Sequence, residues 1–547
     1  MKARYPDERR DALAEGRTAL GIELGSTRIK AVLVDDHGAP VATATSSWEN
    51  HLVDGVWSYE MSDAWHGIQQ CVAGVLATVR TEYGLELNRL GSMGVSGMMH
   101  GYLPFDSAGN QLVPFRTWRN TNTGSAVSEL SALLGVNIPH RWSVAHLYQA
   151  VMDGEEHVSR VDFLTTLSGY VHWRLTGERI LGIGDSSGMF PIDDATRDYD
   201  ERLLSIFEER LEERGVPLRL RDVLPRVGLA GQPAGSLTAE GAALLDPSGT
   251  IQPGVPLCSP EGDAGTGMVA TNAVAPRTGN ISAGTSLFAM AVLEHPLSAP
   301  HCELDMVTTP AGDVVAMVHC NNGTSDIDEW VGLFSEFAKA AGVDVPPDDL
   351  YGILYRSALE APGDAGGIVT YNYVAGEPIT DTTAGRPLLM RLPDAPLHLA
   401  PLMRAHLMSI MSTLRLGMEI LFEEGVEIDC WVGHGGLFRT PSVGQRLMAA
   451  ALEAPVAVGT NAGEGGPWGM ALLALYGVAG RGRRLADFLD EVVFVGGAFE
   501  SVYPVAEDVA GFRCFLERYR RGLLVERAAV EAPVSYTHLR AHETPEH

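Results

Sequence analysis

Asp263 is the side chain of this sequence best suited to act as a general base. It lies in GVPLCSPEGDAGTGM (254–268), where an apolar strand start runs into Glu261-Gly262-Asp263 and then into a glycine-rich helix start. A carboxylate beside the N–H groups of a helix N-terminus can stay ionised, which a base requires. An N-cap carboxylate without chemistry fits the same spacing, and Glu261 is the nearby competitor.

A phosphate-binding turn is predicted near the start of the chain. The stretch 19–36, ALGIELGSTRIKAVLVDD, has the pattern of two strands joined by a tight polar turn. Ser26 and Thr27 put hydroxyls beside exposed N–H groups, a geometry suited to a phosphate. Glu23 precedes the turn, where a carboxylate could hold a metal or a water, and Lys30 follows it, where it could reach a phosphate. A plain hairpin fits this stretch when it is taken alone.

The same layout returns about half a chain later. TGNISAGTSLFAMAVL (278–293) has a short strand, then Gly284-Thr285-Ser286, then an apolar strand. Two copies predict a duplicated fold with a phosphate turn in each half. ATP held between two such lobes is similar to the actin and hexokinase arrangement, which is an analogy of fold alone.

Two glycine-rich segments near the C-terminal end point to a nucleotide. DCWVGHGGLFRT (429–440) is a predicted strand leading into a glycine-rich turn and a helix, and GEGGPWGMALLA (463–474) opens another helix against it. Such turns bring the backbone close to a flat ligand such as adenine or to its α-phosphate. With the two phosphate turns, these segments predict an ATP cleft.

Candidate sugar-binding residues lie earlier in the chain. LGSMGVSGMMHGYL (90–103) predicts a buried strand, and His100 falls at its end, where α/β sheets present ligand-binding groups. A hydrogen-bonded structural histidine is the alternative. The loop TWRNTN (117–122) combines Trp, Arg and amides, which suit the apolar face and hydroxyl rim of a sugar. A solvated loop anchored by one Trp is the competing interpretation.

The composition excludes several classes of protein. The chain has 547 residues, 45% of them hydrophobic and 20% charged, as in an ordinary globular protein of two to four domains. A net charge of −29 argues against a nucleic-acid partner. Six scattered cysteines without a CxxC pair predict reduced thiols and no zinc framework. The longest apolar run is too short to span a bilayer, so a cytoplasmic protein without a membrane partner is expected.

Apolar periodicity predicts amphipathic helices over 57–80, 142–177 and 399–421. GIGDSSGMF (182–190) is predicted to be a tight polar loop. Residues 1–18 are expected to form a charged, frayed N-terminal arm. After Ala532, PVSYTHLRAHETPEH (533–547) is similar to a translated adapter or cloning scar, and a short disordered tail is the alternative.

Taken in order, the motifs resemble those of the FGGY carbohydrate kinases over roughly residues 19 to 525. GIELGSTRIKAVLVD resembles the family's first phosphate motif, and SAGTS resembles its second phosphate motif. GVSGMMHGYLPFD with TWRNTN resembles its sugar-binding strand and loop. EGDAGTG resembles its catalytic-aspartate segment. NYVAGEPITDTTAGRPLLM with the Arg404 helix resembles its second signature, and WVGHGGLFRTPSVGQ and EGGPWGMALLA its adenosine-site loops. The resemblance implies an α/β fold of two ribonuclease-H-like (actin/hexokinase-type) lobes, 19–273 on the sugar side and 274–532 on the nucleotide side, closing over ATP and a sugar.

The resemblance also implies roles for single residues, with ATP and Mg²⁺ as cofactors. Asp263 would take the proton from a primary hydroxyl of the sugar as that hydroxyl attacks the γ-phosphate. Glu23 would hold Mg²⁺ through water. The remaining assignments are β- and γ-phosphate contacts for Ser26, Thr27, Lys30 and Thr285, the adenosine pocket for Gly433, Gly435 and Gly436, and sugar contacts for Met99, His100, Trp118 and Asn120.

Three departures from the family pattern leave the sugar open. Glu23 stands where the family usually has Asp, and His434 where it usually has Gly. Xylulose kinases typically have Trp-x-Asp-x-Arg, whereas Trp118 here is followed by amides at both of those positions. The expected activity is ATP-dependent phosphorylation of a ketose, with a xylulose-like pentulose favoured. A polyol or aldonate kinase, or a nucleotide-binding sugar sensor without turnover, is the alternative, and a homodimer is compatible with the sequence.

Overall fold

The computed structural model describes residues 6–301, 303–459, 465–480, 482–496 and 499–532. The expected tail at 533–547 lies outside the described residues, as do the first five residues of the chain and the start of the glycine-rich segment at 463.

Strands are numbered in chain order over the described residues. They are β1 Thr18–Leu24, β2 Arg28–Asp35, β3 Pro40–Ser47, β4 His51–Val53, β5 Val56–Ser58, β6 Ser92–Gly97, β7 Leu103–Phe105, β8 Phe163–Thr165, β9 Ile180–Gly182, β10 Ile192–Asp193, β11 Asp198–Tyr199, β12 Arg226–Gly228, β13 Pro233–Ser236, β14 Pro256–Cys258, β15 Glu261–Gly262, β16 Thr278–Ala283, β17 Leu287–Val292, β18 Asp305–Thr308, β19 Val314–Cys320, β20 Ile368–Tyr371, β21 Leu388–Arg391, β22 Cys430–Gly435, β23 Val456–Gly459 and β24 Phe499–Val502.

The α-helices are numbered in the same way. They are α1 Pro6–Ala14, α2 Met61–Tyr83, α3 Gly124–Leu134, α4 Ser143–Met152, α5 Leu167–Thr176, α6 Ile183–Ser186, α7 Glu201–Glu213, α8 Leu220–Val223, α9 Ala239–Leu245, α10 Asp263–Ala270, α11 Ser325–Ala340, α12 Pro347–Ser357, α13 Leu399–Glu423, α14 Val443–Leu452, α15 Gly465–Ala479, α16 Leu485–Phe488 and α17 Ala506–Glu531.

The first seven-stranded sheet has the order β13-β14-β6-β1-β2-β3, with β15 also paired to β6. Strands β1, β2 and β3 form an antiparallel meander, whereas β6 runs parallel to β1. The predicted phosphate turn is the connection between β1 and β2. Three antiparallel strands followed by parallel ones are the arrangement expected of a ribonuclease-H-like lobe.

The second seven-stranded sheet has the order β18-β19-β17-β16-β22-β23-β24. Strands β16 and β17 are neighbours, and Gly284-Thr285-Ser286 connects them, as the first turn connects β1 and β2. The next strand on the far side of β16 is β22, which occupies the place that β6 has beside β1. The predicted duplication of the α/β layout is therefore confirmed.

The long amphipathic helices match the apolar periodicity, except that α2 begins at Met61, and Trp57, predicted to start it, lies in β5. Helix α2 buries Trp65, Ile68 and Val75 among its apolar positions, and α13 covers the predicted 399–421 with two further residues. These helices form because their apolar side chains recur on one face and can leave water together.

The stretch 142–177 is not one helix, as its periodicity had predicted. It contains α4, a 3₁₀ helix at Glu156–Arg160, β8 and then α5. Gly154 has a φ of +67°, a left-handed conformation that ends a helix. Gly177 caps the C-terminus of α5: it has a φ of +82°, and its N–H donates to Trp173 O at 2.7 Å.

The N-terminal segment differs from the expected frayed arm. Helix α1 buries Ala12 and Leu13, and Leu13 belongs to the apolar core beside the first sheet. The Arg9 Nε atom lies 3.5 Å from the buried Asp35 carboxylate. The described part of this segment is therefore packed on the fold.

The chain forms two compact units that interleave along the sequence. The described residues of the first fall within Met1–Gly279, Ala291–Ala316 and Thr460–Ala498, and those of the second within Asn280–Met290, Met317–Gly459 and Phe499–His547. The division of the sequence into lobes at 273/274 stays a prediction. Over the described residues, no helix is both long enough and apolar enough to cross a bilayer.

Candidate active site

Strand β6 brings acidic side chains of the first unit together. Its residue Ser96 is paired with Glu23 of β1 on one side and with Glu261 of β15 on the other. Helix α10 begins at Asp263, directly after β15. Because parallel strands end at the same edge of a sheet, the three carboxyl groups collect at one edge, where α/β sheets carry their sites.

Asp263 is held in place by two backbone donors. Its Oδ1 atom accepts from the Met99 N–H at 3.3 Å and from the Ala264 N–H at 3.0 Å. The residue is half-buried, so it is oriented by the protein and still reachable from outside. Burial raises the pKa of Asp263 to about 6, and the backbone hydrogen bonds oppose that rise. At neutral pH the carboxyl group is deprotonated, and its pKa is close enough to the working pH for it to accept a proton, as a general base requires.

A pH profile tests this assignment. If Asp263 is the base, kcat/KM falls tenfold for each pH unit below about 6 and is level just above it, because only the deprotonated carboxylate can accept the hydroxyl proton. Initial rates of ADP release between pH 5 and 8 measure the profile. A level profile down to pH 5 would contradict the assignment.

Glu23 lies directly opposite Lys30 in the β1–β2 ladder. Burial and the nearby charge of Asp263 raise the pKa of Glu23 to about 8, while Lys30 lowers it. The Asp263 carboxylate thus lies close enough to oppose the ionisation of Glu23. A cation between them would relieve that repulsion.

A metal at this edge would depend on water and phosphate for much of its coordination. Among the described residues, no group of three or more His, Cys, Asp or Glu side chains is arranged to hold a metal ion. Mg²⁺ usually keeps several waters and is bound through one or two carboxylates plus substrate phosphates. Glu23 and Asp263 fit that mode.

Two further buried carboxyl groups, those of Asp185 and Glu261, lie near Asp263. Asp185 accepts from the hydroxyls of Thr166 at 2.7 Å and Ser168 at 2.6 Å, and its own N–H donates to Glu261 at 3.0 Å. Both carboxyls are fully buried, which raises the pKa of Asp185 to about 7 and that of Glu261 to about 8. Glu261, the competitor for the role of base, is therefore enclosed and bound to backbone N–H groups.

Asp185 was missed by sequence reasoning. It lies in the segment predicted to be a polar loop, which instead forms part of β9 and the short helix α6. The available signal was a carboxylate among small residues, GDSSG, which is weak without knowledge of its buried hydroxyl partners.

His100 lies three residues beyond the end of β6, as predicted for a residue at a strand end. Its backbone has a φ of +72°, and its buried ring places Nδ1 3.4 Å from Gly188 O. A Cβ on Gly188 would lie 2.5 Å from that Nδ1 atom, so only glycine fits there. Met99 occupies the space beside Gly262, because its Cγ atom lies 2.1 Å from where a Cβ on Gly262 would be. Both predicted sugar residues are thus fixed in place, Met99 beside Asp263 and His100 beside Gly188.

The first phosphate turn, Gly25-Ser26-Thr27, is held through all three of its carbonyl groups. Trp48 Nε1 donates to Gly25 O at 2.7 Å, Tyr59 OH to Ser26 O at 2.6 Å, and the Trp48 N–H to Thr27 O at 3.3 Å. The Trp48 and Tyr59 rings stack with centroids 4.2 Å apart. In a trans peptide the N–H points opposite to the C=O. Holding the Gly25 and Ser26 carbonyls therefore aims the N–H groups of Ser26 and Thr27 away from the two rings.

The loop 117–122, called the Trp118 loop below, uses its predicted residues unequally. Trp118 is exposed, as a sugar platform requires. Asn120 is buried, and its amide accepts from the Trp57 N–H at 2.8 Å and donates to Trp57 O at 2.9 Å. The Asn120 side chain therefore positions the loop. The Arg119 guanidinium lies 4.0 Å from the centroid of the Trp57 ring.

In the second unit the structure brings the second phosphate turn and the glycine-rich loop together. Thr285 is exposed, and its carbonyl accepts from the Gly323 N–H at 2.8 Å. Gly435 has a φ of +98°, and a Cβ there would lie 2.3 Å from Ala283 O, immediately before the turn. Gly436 is exposed, and the nearest atom to its Cβ position is 3.9 Å away.

Two neighbours in that loop have other roles. Gly433 is buried, and a Cβ there would lie 2.5 Å from the Phe438 ring, so this glycine makes room for an aromatic side chain. Burial lowers the pKa of His434 to about 4. The imidazole that replaces the usual glycine is therefore uncharged at neutral pH.

The second glycine-rich segment, 463–474, was expected to pack against the glycine-rich loop at 429–440. Its described part belongs to the first unit. Helix α15 passes so close to β1 that a Cβ on Gly21 would lie 2.0 Å from Pro467 O. A Cβ on Gly466 would lie 2.1 Å from Glu23 Oε1. Glycines at these positions therefore let the helix and the strand meet beside Glu23.

Two α/β sheets, each with an exposed hydroxyl-bearing turn between its central strands, define a two-domain protein of the actin/hexokinase type. The profile of the FGGY family of carbohydrate kinases, N-terminal domain, matches residues 18–270, and that of the C-terminal domain matches residues 279–478. The chain therefore belongs to the FGGY family of carbohydrate kinases, a class of sugar phosphotransferases.

Individual relatives are distant. Xylulose kinase of Escherichia coli (strain K12) is 24% identical over 292 residues, which cover 51% of this chain and 55% of that protein. The chain thus spans about half the length of that curated relative. Xylulose kinase of Haemophilus influenzae is 21% identical over 513 residues, 91% of this chain and 98% of that protein.

Solved structures share the fold at similarly low identity. Xylulose kinase from Rhodospirillum rubrum gives a TM-score of 0.76 at 19% identity, covering 94% of this chain and 100% of that one. Gluconate kinase from Lactobacillus acidophilus gives 0.75 at 17% identity, covering 95% and 99%.

Proposed function

We propose that this protein transfers the γ-phosphate of ATP to a primary hydroxyl of a ketose, with a xylulose-like pentulose as the favoured substrate. One observation carries the proposal. Asp263 is half-buried at the N-terminus of α10, held by the Met99 N–H, with a pKa raised to about 6. A carboxylate so placed, next to Met99 and to the strand that leads into the first phosphate turn, can deprotonate a sugar hydroxyl as that hydroxyl attacks phosphorus.

In the proposed step, the hydroxyl oxygen forms a bond to the γ-phosphorus and its proton passes to Asp263. The bond between that phosphorus and the β,γ-bridging oxygen breaks, and ADP leaves with the electron pair. Ser26, Thr27 and Thr285 would bind phosphate oxygens, and Gly435 and Gly436 would border the adenosine. Most of the acceleration comes from positioning and charge neutralisation, so the contribution of the base is secondary.

Glu23 and Asp263 would hold Mg²⁺ through water. When bound, the ion would neutralise charge on the β- and γ-phosphates. Lys30, paired with Glu23 across the β1–β2 ladder, would supply further positive charge on the phosphate side.

ADP release over a panel of pentuloses, hexuloses, polyols and aldonates tests the proposal. Wild type and Asp263→Asn are assayed side by side, and the expected result is turnover of one substrate by wild type alone. Turnover of no member, with ATP still bound, would favour the sugar sensor. Sugar-dependent stabilisation in a thermal melt would then support the sensor.

An aldonate is the second candidate substrate. The Trp118 loop has amides at the two positions where xylulose kinases have Asp and Arg. Its own arginine is Arg119, whose exposed guanidinium stacks on Trp57. A guanidinium can bind a carboxylate through two hydrogen bonds, and an aldonate carries one where a ketose does not. The solved gluconate kinase of the same fold is consistent with this candidate. A homodimer and a cytoplasmic location remain predictions.

His100→Ala separates a sugar contact from a structural role. We expect the KM for the sugar to rise about tenfold or more, since one buried hydrogen-bonding group is worth about 1–3 kcal/mol. The KM for ATP should stay within about twofold, because the ring lies against Gly188 and is proposed to contact the sugar and not the nucleotide. Steady-state kinetics with each substrate varied in turn measure both constants, and an equal rise in both would make His100 structural.

A further inference from the structure

The Trp118 loop is attached to a short hairpin. The Thr117 N–H donates to Trp57 O at 3.2 Å, and the Asn120 amide makes two further bonds to the Trp57 backbone, at 2.8 and 2.9 Å. Trp57 belongs to β5, which over the described part of the chain pairs with β4 alone in a two-stranded sheet. The loop and this hairpin are therefore tied by one main-chain hydrogen bond and by two bonds from the Asn120 side chain to the Trp57 backbone, and would move together.

The base of the hairpin holds the first phosphate turn. Trp48 precedes β4 and Tyr59 follows β5, and their stacked rings close the hairpin at its base. The same two residues donate to the carbonyls of the turn, with Tyr59 OH bonded to Ser26 O at 2.6 Å. Only one residue separates Trp57, bound to the loop, from Tyr59, bound to the turn.

A weaker side-chain path runs beside this backbone connection. Arg119 Nη1 donates to Asn50 Oδ1 at 3.3 Å, and Asn50 Nδ2 lies 3.4 Å from Tyr59 OH. Both paths start in the Trp118 loop and end at the Tyr59 hydroxyl. This hydroxyl orients the peptide group between Ser26 and Thr27. That peptide includes the Thr27 N–H, which would contact a phosphate.

We infer that Tyr59 is a positioning residue that couples the Trp118 loop to the first phosphate turn, so that sugar bound at the loop tightens nucleotide binding at the turn. The inference rests on the proposed function, because it takes the loop as the sugar site. A sugar that orders the loop also orders the hairpin, and the hairpin fixes the Ser26 carbonyl through Tyr59. Two ligands that both favour one arrangement of a shared element bind cooperatively, and the effect is reciprocal.

The experiment compares wild type with Tyr59→Phe, which removes only the hydroxyl. Calorimetry gives the Kd of a non-hydrolysable ATP analogue with and without the saturating sugar found in the substrate panel. In wild type we expect the sugar to lower that Kd about five- to tenfold, within the usual range of coupling between sites. In Tyr59→Phe the ratio should approach one and the KM for ATP should rise, with kcat changed less than twofold.

Two variants control the comparison. Tyr170→Phe removes another buried hydroxyl, bonded to Trp65 Nε1 at 3.1 Å, and should lose similar stability while keeping the wild-type coupling ratio. Asn120→Asp keeps one bond to Trp57 and loses the donor, so it should weaken the coupling from the loop end. It should leave the Kd of the nucleotide alone unchanged.

Each result has a defined meaning. Wild-type coupling in a folded Tyr59→Phe protein, or the absence of coupling in a wild type that phosphorylates its sugar, would overturn the inference while the proposed function stands. Failure of the proposed function would appear differently, as wild type that turns over no sugar at all. Loss of coupling in Tyr170→Phe as well would make the effect one of general stability and would also overturn the inference.

Discussion

Asp263→Asn should lower kcat by about a thousandfold, within the range of 10²–10⁴ that general bases contribute. The amide can still occupy the site and accept from the Met99 N–H, but it cannot take a proton from the hydroxyl. Nucleotide binding should change far less than kcat, because the phosphate turn is held by Trp48 and Tyr59, whereas Asp263 would contact Mg²⁺ only through water. Single-turnover ADP formation and calorimetry with an ATP analogue measure the two effects separately.

Glu261→Gln is the matched control for that result. Glu261 also carries a carboxyl group at this edge of the sheet, on β15 beside β6, but it is fully buried and accepts from the backbone N–H groups of Gly184 and Asp185. Its pKa is raised to about 8, so it is mostly protonated at neutral pH and an amide resembles it. We expect kcat to fall less than about tenfold. A larger loss in Glu261→Gln than in Asp263→Asn would reassign the base to Glu261.

The parts of the fold that are coded locally could be predicted from the sequence. Both phosphate turns, helix α13 and the helix start at Asp263 follow from patterns within twenty-five residues. Each is set by strand propensity, glycine or apolar periodicity, and these act between neighbours in the chain. The hydrogen-bond partners of Asp263 were not predictable in the same way, although its position was.

The contacts that complete the site join distant parts of the chain. The bond from Asp185 N to Glu261 links residues 76 positions apart, and the bond from Tyr59 to Ser26 links residues 33 apart. No periodicity encodes such a pair, because it depends on how strands pair and helices pack. Asn120 shows the reverse case: its type suited a sugar, but its amide is bonded to the Trp57 backbone, 63 residues away. Residue type predicted the chemistry that was available there, and tertiary structure decided where it is used.

The glycine-rich loop at 433–436, the proposed adenosine loop, provides the sharpest test in the second unit, because adjacent glycines there meet different constraints. Gly435 has a φ of +98°, and a Cβ would lie 2.3 Å from the backbone oxygen of Ala283. Gly436 has no such φ, and its Cβ position is open to 3.9 Å. An alanine at 435 must therefore move the loop away from the end of β16, whereas an alanine at 436 fits without movement.

We expect Gly435→Ala to weaken ATP binding about a hundredfold, since backbone strain of about 1–3 kcal/mol adds to displacement of the loop. The displacement begins at Ala283, next to Gly284 and Thr285, so the phosphate turn should be disturbed together with the adenosine loop. Gly436→Ala should leave the melting temperature unchanged and weaken ATP binding less than about tenfold, because its methyl group only borders the proposed pocket. Calorimetry with an ATP analogue and thermal melts of both variants measure this difference. Equal nucleotide affinity in the two variants would contradict the placement of Gly435 in the nucleotide site. The reason is that backbone strain and steric contact differ strongly between these neighbouring glycines, whereas their distances from the ligand can differ only a little.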